Sequence, residues 1–348
     1  MEFVNKTPLP AKLFIGKVEG ATRRIGLVVA KATFHVGPDG VSKYDMDDPY
    51  PIFPSDEETL LGLLPRDDLP KTDGIDVIVL GNAYAPKDQL ISHMTVSLMI
   101  GRLTRYLLIF GDREWVKRKK ISSPKLFDIM PLIYGRAFGG SAEVEIDRGS
   151  FITVSDPRNP DGKGFDAIFY SKSLAKMLKP LRGYPRMPEV RVLPNIEDPD
   201  HLIRSWEDSP APASWATLPM TSALHAQRSI YTDNNQFEML PSLFHRAHPS
   251  LVLTDIAPLT EVQLRGMTPN GQMYFRVPDW QVRTEFLLNK RHVEERLKLD
   301  TLVILPERKR FYVVYRLLFN YEFESHVPRS ARLKVLMSPE NPQKTGGR

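Results

Sequence analysis

The sequence predicts a mainly β protein with antiparallel, sandwich-like sheets, long irregular Pro- and Gly-rich connections and few short helices. Segments rich in β-branched and aromatic residues, such as residues 25–36 and 103–110, are typical of strands. The turns between consecutive segments are too short for a helical crossover, so we predict antiparallel pairing. The 30 prolines among 348 residues are about twice the ordinary share of roughly 5%. This composition favours irregular connections over packed helices.

We predict that residues 1–140 form an N-terminal β-rich part. Residues 25–36 are its first clear strand, and the continuous apolar run at 75–83 has the length of a buried strand. Between them, residues 44–74 are acidic and interrupted by proline. This pattern predicts a long loop with one short apolar piece.

A predicted hairpin and a stretch rich in glycine, basic and aromatic residues complete the N-terminal part. Residues 91–100 and 103–110 are apolar segments on either side of a short turn, as in paired strands. The stretch that follows places Arg113 and Trp115 two residues apart, on the same side of an extended segment. Its basic run at 117–120 lacks interleaved aromatic residues, so we interpret it as a solvated surface.

The middle region, residues 141–250, is predicted to be irregular. Proline, glycine, asparagine and aspartate recur in it, and no hydrophobic periodicity persists. A helix of about two turns is compatible with residues 171–178, with Ser171 as its N-cap. A connection as long as residues 141–215 is either functional or contains regular structure that the pattern does not reveal.

The C-terminal part, residues 251–327, becomes regular again and is predicted to pack with the N-terminal part. Residues 259–265 and 272–277 flank an Asn-Gly turn, which is a strong hairpin signal. Further strands are predicted at residues 281–288, 296–305 and 310–319. The polar residues 328–348 are predicted to form a flexible tail.

Composition and charge exclude several classes of protein. The chain has no cysteine, which excludes disulfides, thiolate metal sites and a cysteine nucleophile. It has no apolar stretch of ~18 residues and no secretory signal at its N-terminus, so we expect a cytoplasmic protein without a membrane partner. A formal net charge of +5 is balanced by 42 acidic residues, and we expect no nucleic acid partner.

None of the common catalytic or binding motifs is present. The Gly-rich segments lack the spacing of a dinucleotide site or a phosphate loop, and no serine-hydrolase or zinc-protease motif occurs. His245 and His248 have a possible metal-ligand spacing, but nearby prolines leave little room for a helix, so we expect no metal. Asp73 and Asp76 precede a strand, where acids are usually solvated or capping. We therefore predict no catalytic residue and no cofactor.

Six motifs occur in order along the chain: KATF (31–34), TDGIDVIVLGNAYAP (72–86), FGDREW (110–115), MPLIYGRAFGG (130–140), NPDGKGF (159–165) and LPNIED (193–198). Together they resemble a bacterial family of unknown-function proteins encoded beside the VgrG spike and PAAR-type tip proteins of type VI secretion. The resemblance extends over roughly residues 1–320. Several of the motifs are long, which makes the resemblance specific.

The resemblance implies an adaptor or chaperone and not an enzyme. Members are thought to bind a cargo effector and to help load it onto the VgrG spike and its PAAR-type tip protein. By the same resemblance, the motif residues determine the fold or form a central packing or partner-binding site. These residues are Gly111, Asp112, Arg113, Trp115, Pro131, Tyr134, Phe138, Gly139, Gly140, Asn159, Pro160, Gly162, Gly164, Pro194, Asn195 and Glu197.

Two other functions stay open on the sequence. An enzyme of unrecognised type would have its site around Asp112 and Arg113, with the Gly-rich loops beside it. A structural component of the spike would leave the cell with the cargo. Trp206, Trp215 and Trp280 are candidate contacts in or beside Pro-rich connections, although each more commonly closes an edge of the core.

Overall fold

The structure is a computed structural model that describes most of the chain. The described residues are 1–17, 23–69, 74–117, 119–147, 149–165, 190–219, 229–231, 237–239, 245–288, 291–322 and 329–337. The structure is mainly β with several antiparallel sheets, and the described residues contain no helix of seven or more residues. The predicted fold class is confirmed. The helix predicted at residues 171–178 lies outside the described residues.

The strands are named in chain order, and the described helices are single turns. The strands are β1 Glu2–Asn5, β2 Ala11–Lys17, β3 Arg23–Val36, β4 Ser42–Tyr44, β5 Glu57–Thr59, β6 Gly62–Leu64, β7 Ile75–Val79, β8 Asn82–Tyr84, β9 His93–Ile100, β10 Leu103–Phe110, β11 Glu114–Val116, β12 Lys120–Ile121, β13 Ile129–Pro131, β14 Phe138–Gly139, β15 Ser141–Asp147, β16 Ser150–Ser155, β17 Lys163–Gly164, β18 Val190–Val192, β19 Ile196–Glu197, β20 Ser229–Tyr231, β21 Phe237–Met239, β22 Val252–Leu253, β23 Glu261–Arg265, β24 Gln272–Arg276, β25 Trp280–Leu288, β26 Arg291–Arg296, β27 Lys298–Leu305, β28 Arg310–Glu322 and β29 Ser330–Met337. The short 3-10 helices are Tyr134–Arg136, Pro249–Leu251 and Pro306–Arg308.

The largest sheet joins both ends of the chain. Its seven strands run in the order β2-β3-β28-β27-β7-β22, with β4 paired to β3. The long strands β3 and β28 pair antiparallel along their whole length. In contrast, β27 and β7 are parallel. The prediction of antiparallel pairing fails here because these strands are far apart in sequence, so no short turn constrains their direction.

One face of the seven-stranded sheet packs against the five-stranded sheet β19-β10-β9-β23-β24. Phe34 and Phe311 are neighbours on β3 and β28, with ring centroids 5.1 Å apart. Phe275 of β24 stacks on Phe311 at a centroid distance of 4.1 Å. Buried apolar residues of both sheets belong to one continuous core. This packing of sheet on sheet gives the sandwich-like arrangement that the strand patterns predict.

The opposite face of the seven-stranded sheet is covered by residues 45–68, which we name the covering segment. Lys31 of β3 and Arg316 of β28 project from this face because their strand positions alternate with those of Phe34 and Phe311. Lys31 is fully buried and Arg316 nearly so. The prediction of a long loop is therefore incomplete, since the acidic segment packs on charged side chains of the sheet.

Asp67 of the covering segment holds both cations. Its carboxylate is 2.7 Å from Lys31 Nζ and 3.5 Å from Arg316 Nη2. Lys31 Nζ also donates to Pro51 O at 2.8 Å and lies 4.0 Å from the centroid of the Phe53 ring. Burial lowers the pKa of Lys31 to about 8, although the nearby carboxylate of Asp67 opposes this shift. The segment thus supplies the counter-charge that the buried lysine needs.

A four-stranded sheet brings the C-terminal strand into the fold. It has the order β1-β29-β25-β26, and β29 pairs antiparallel with β25 and in parallel with β1. Ala331 and Leu333 of β29 are fully buried. Residues 330–337 therefore form a paired strand, where the sequence predicted part of a flexible tail. The apolar residues at 331, 333 and 335 alternate as expected for a strand. The mainly polar residues on either side of this short segment made the alternation hard to recognise in the sequence.

Among the described residues, no helix is long and apolar enough to cross a membrane. The described helices are single turns, and two of them begin at a proline. Proline suits the first position of a short helix because the missing N–H has no partner there. The backbone hydrogen bonds of the described fold therefore come chiefly from sheets and turns.

We predict that Asp67→Asn lowers the free energy of unfolding by about 3–5 kcal/mol, because it leaves the buried Lys31 without its carboxylate partner and removes one of the two carboxylates that contact Arg316. Urea denaturation measures the change. Asp68→Asn is the matched control, since Asp68 pairs with the partly exposed Arg66 and its loss should cost less than about 1 kcal/mol. Equal losses for the two variants would contradict the role given to Asp67.

Candidate functional site

The motif residues meet at the turn that follows β10. Phe110 N donates to Asn195 O at 2.8 Å, and Asn195 Nδ2 donates back to Phe110 O at 3.1 Å. β11 then pairs with β18, just before Asn195 in the middle region. Motifs FGDREW and LPNIED, which are about eighty residues apart, are thereby joined by backbone pairing.

A polar cluster forms around Asp112, and we name Asp112, Arg136, Lys163 and Asn195 the Asp112 cluster. Asn195 Nδ2 donates to Asp112 Oδ1 at 3.0 Å, and Arg136 Nη1 is 3.4 Å from the same oxygen. Arg136 Nη1 and Lys163 Nζ also donate to Asn195 Oδ1, at 3.1 and 3.3 Å. Asn195 is fully buried, whereas the Asp112 side chain is 52% exposed. The cluster is a surface carboxylate anchored on a buried amide.

The charge state of Asp112 is set by these neighbours. The hydrogen bond from Asn195 lowers the pKa of Asp112 most, and the positive charges of Lys163 and Arg136 lower it further, against partial burial. Burial and the nearby Arg136 lower the pKa of Lys163. An ionised, hydrogen-bonded carboxylate is a weak proton acceptor at neutral pH, so Asp112 is poorly suited to general-base chemistry in this arrangement.

Arg113 and Glu197 form a buried ion pair behind the cluster. Arg113 Nη2 contacts Glu197 Oε1, and Glu197 Oε2 accepts a hydrogen bond from Ile203 N at 3.0 Å. The guanidinium lies 3.7 Å from the centroid of the Phe110 ring. Burial raises the pKa of Glu197 and lowers that of Arg113, while each partner opposes the shift of the other. The pair links β11 to the middle region inside the protein.

A small second core lies beside this ion pair. Trp115 is only 3% exposed and packs with Phe138, Leu193 and Ile203. Trp206 is partly buried against it, with ring centroids 6.0 Å apart. Trp115 is therefore a packing residue, and Trp206 closes the edge of this core.

The other two candidate tryptophans differ in burial. Trp215 is 2% exposed and belongs to the main core. Trp280 is partly buried and packs against the edge of this core, where its ring centroid is 5.0 Å from that of Phe34. Both positions are common for tryptophan.

The Gly-rich motifs cross where β14 pairs in parallel with β17. Asn159 Nδ2 donates to Tyr134 O at 2.8 Å and to Phe138 O at 2.9 Å, so its buried amide ties the two motifs together. Gly139 has φ +139°, and a Cβ there would lie 2.1 Å from Asn159 O. Only glycine fits this position, because both its backbone conformation and the close approach exclude a side chain.

Other motif glycines and Pro194 surround the same crossing. Gly140 N donates to Asn159 O at 2.8 Å, and Gly162 N bonds to the same oxygen at 3.3 Å. A Cβ on Gly164 would lie 3.1 Å from Pro194 Cδ. These residues therefore allow the backbones of NPDGKGF, MPLIYGRAFGG and LPNIED to approach one another.

The remaining candidates lie at the margins of the site. A Cβ on Gly111 would lie 1.8 Å from Lys125 O, so this turn also requires glycine. Pro131 lies in β13, opposite Asn82 of β8, and is not part of the Asp112 cluster. Tyr134 is buried, and burial raises the pKa of its hydroxyl, which is 3.5 Å from Ser214 O. Pro160 is half-buried beside Asn159.

Sequence reasoning missed Arg136 and Lys163, the two cations of the Asp112 cluster. Both lie inside quoted motifs, MPLIYGRAFGG and NPDGKGF: Arg136 follows Gly135, and Lys163 stands between the candidate residues Gly162 and Gly164. A charged residue close to glycines in a motif could have indicated a member of the polar site. Only the folded chain shows that the two side chains converge on one carboxylate.

Asp76 is a correction to the sequence analysis. It is fully buried in β7, where the sequence predicted a solvated or capping acid. His245 Nδ1 and Arg246 N each lie 2.7 Å from its carboxylate, which explains how the interior accepts it. Asp73 lies outside the described residues.

The two histidines point to different partners. His248 Nδ1 contacts Ser250 Oγ at 2.8 Å, whereas His245 pairs with Asp76. In the part of the chain that the structure describes, no group of three or more His, Cys, Asp or Glu residues could hold a metal ion. The described histidine pair is thus engaged with protein groups.

A cavity of about 370 Å³ lies next to the site. It is lined by residues 104–107, 198–200 and 213–215 together with His248 and Ser250. Sequence analysis did not predict it, because its walls come from four separate segments of the chain. Asp198 directly follows Glu197, so the wall of the cavity continues from the buried ion pair.

The fold and the site together define a mainly β protein in which the polar side chains of the motif site bond to one another and to the backbone. The model of the bacterial family described as "Uncharacterized protein conserved in bacteria (DUF2169)" matches residues 21–316, and the chain belongs to that family. The match includes all six quoted motifs. No curated protein and no solved structure matches the chain. The link to type VI secretion stays a prediction.

We predict that Glu197→Gln lowers the free energy of unfolding by about 3–5 kcal/mol, because it leaves Arg113 buried without a counter-charge. Thermal and urea denaturation measure the loss. Glu207→Gln is an exposed control and should change stability by less than about 0.5 kcal/mol. The double variant Arg113→Met/Glu197→Leu removes both charges and should lose less than Glu197→Gln alone; a larger loss would contradict the argument.

We predict that Gly139→Ala lowers the free energy of unfolding by about 3 kcal/mol or more, from backbone strain and overlap with Asn159 O. Gly271→Ala is the matched control. Gly271 also has a positive φ, +83°, but open space surrounds its Cβ position, so only strain of about 1 kcal/mol is expected. Urea denaturation compares the two, and equal losses would remove the steric argument.

Proposed function

We propose that this protein is a cytoplasmic adaptor of type VI secretion that binds a cargo effector and helps to load it onto the VgrG spike and its PAAR-type tip. Support comes from the ordered motifs, which resemble a family encoded beside the spike genes. Membership of the bacterial family that matches residues 21–316 is compatible with this proposal. Cargo binding is thus assigned through the resemblance, and the structure supplies physical arguments for it.

The observation that carries the proposal is the use of the motif side chains inside the protein. Arg113 pairs with Glu197, and Asn159 donates hydrogen bonds to two backbone carbonyls. Asn195 bonds to the other members of the Asp112 cluster. Motif residues used in this way hold a rigid scaffold and leave few reactive groups. A rigid scaffold favours binding, because its surface does not have to become ordered when a partner binds.

The alternative of an enzyme around Asp112 and Arg113 has less support. Arg113 is buried, and a substrate would have to displace Glu197 to reach its guanidinium. Asp112 is exposed, but the hydrogen bond from Asn195 favours its ionised form. An ionised Asp112 can still stabilise positive charge on a substrate. The experiment below therefore distinguishes binding of cargo from turnover of a substrate.

The test is co-expression of the tagged protein with the effector and spike genes adjacent to its own, followed by affinity purification. We expect stable recovery of one neighbouring effector, and less of that effector in cells that lack this protein. Asp112→Ala would abolish turnover by an enzyme, whereas a binding role would change only through folding or affinity. Failure to recover any neighbouring effector at low salt would overturn the proposal.

The same cells test the alternative of a spike component. An adaptor that stays behind is expected in the cell pellet, with its cargo in the medium. Recovery of this protein in the secreted fraction together with VgrG would favour a component that leaves the cell. A strain without a working secretion system is the matched control, since it separates secretion from lysis.

A further inference from the structure

Half of strand β10 has an open edge. β10 pairs with β9 along its whole length, from Leu103 to Phe110. On its other side, β19 pairs only with Leu108 and Ile109. Among the described residues, no strand pairs with residues 103–107 on that side. An open strand edge presents backbone donors and acceptors to a partner.

The backbone groups at this edge point away from β9. Phe110 N donates to Asn195 O, on the side of β19. Because backbone groups alternate sides along an antiparallel strand, Tyr106 and Thr104 present their N–H and C=O groups to the same side. The Arg105 guanidinium donates to Thr104 O at 3.2 Å. The backbone groups of Tyr106 therefore lie at the centre of the open edge.

The cavity runs along this edge. Residues 104–107 form one wall, and residues 198–200, which continue the chain from β19, form another. Ser214 and Trp215 are buried and also line it, so its inner surface is well ordered by packing. The Tyr106 side chain is 51% exposed, which is unusual for a large aromatic residue. The cavity thus borders residues 104–107 of β10, next to the residues that pair with β19.

The charges of the lining favour a basic partner. Asp198 and Asp200 are at least partly exposed at the cavity, although Asp198 Oδ2 is also 3.3 Å from His201 Nδ1. The one arginine of the lining, Arg105, is held by Thr104 O. Burial lowers the pKa of His248, which favours its neutral form at pH 7. With His248 neutral, the two carboxylates outnumber the single guanidinium of Arg105, so the lining has a net negative charge.

We propose that an extended peptide segment of the cargo protein binds in this cavity as an added strand on the open half of β10, with a Lys or Arg side chain facing Asp198 and Asp200. This inference rests on the proposed function. Main-chain hydrogen bonds to Tyr106 supply affinity, and the pocket beside them supplies specificity. A second copy of this chain fits less well, because two-fold pairing of β10 edges brings like carboxylates together.

The test uses the cargo recovered with the full-length protein and the variant Tyr106→Pro. Proline removes the outward N–H of Tyr106, and proline is tolerated on an edge strand when that N–H faces away from the sheet. We expect at least about tenfold weaker binding of cargo, measured as Kd by biolayer interferometry. Unchanged binding by Tyr106→Pro, with its Tm kept, would overturn the inference.

His292→Pro is the matched control. His292 lies on β26, an outer strand of the four-stranded sheet, and is exposed. Leu297 N donates to Val282 O, so by alternation the His292 N–H also points away from its neighbour strand. This variant should bind cargo like the wild type, and a loss equal to that of Tyr106→Pro would overturn the assignment to β10.

Hydrogen exchange provides a test that does not depend on a variant. The outward-facing amides of Thr104 and Tyr106 should exchange more slowly in the cargo complex than in the free protein. Slow exchange in the free protein would show that another segment of this chain covers the edge, and a dimer lost in Tyr106→Pro would show a second copy there. Either result would overturn the inference.

Charge reversal tests the chemistry of the partner. Asp200→Lys should weaken cargo binding several-fold at low salt, with a smaller effect at high salt. An unchanged Kd would remove the basic side chain from the inference. If the wild type binds no cargo at all, the proposed function fails as well, whereas normal cargo binding by Tyr106→Pro leaves that function intact and removes only the strand addition.

Discussion

The ion pairs buried between the seven-stranded sheet and the covering segment are the interaction on which the rest of the structure depends. Lys31, Arg310 and Arg316 project from one face of β3 and β28. Asp45 and Asp67 of the covering segment neutralise them. Since an unpaired charge inside a protein is far more costly than a displaced apolar contact, these pairs specify where the segment lies. The other face is left apolar and packs on the second sheet.

The same principle recurs at the motif site, where it joins distant parts of the chain. Arg113 and Glu197 connect β11 to the middle region, and Asn159 and Asn195 bind backbone groups of motifs remote in sequence. These bonds hold β10 and the start of β19 in place. The open half of β10 therefore lies on a rigid support, and a ligand that binds there would not have to order it first.

Local patterns predicted the strands well and their surroundings poorly. The strand at Leu103–Phe110 and the hairpin around Asn270-Gly271 follow from alternation and turn chemistry, which act within a few residues. The acidic character of residues 44–74 predicts a long loop, because sequence alone does not reveal that cations of β3 and β28 face it. For the same reason the sequence predicts that Asp76 is a solvated or capping acid, although His245 and Arg246 N accompany it inside the protein.

The sequence by itself determined the mainly β fold, most strand positions and the residues that gather at the motif site. The resemblance singled out Gly139 and Asn159, and the structure brings their backbones into close approach. Only the tertiary structure decided which charges are buried, which strands are parallel and which part of β10 lacks a partner among the described strands. These properties depend on contacts between residues far apart in the chain, and the free energy of such contacts is not encoded in any local pattern.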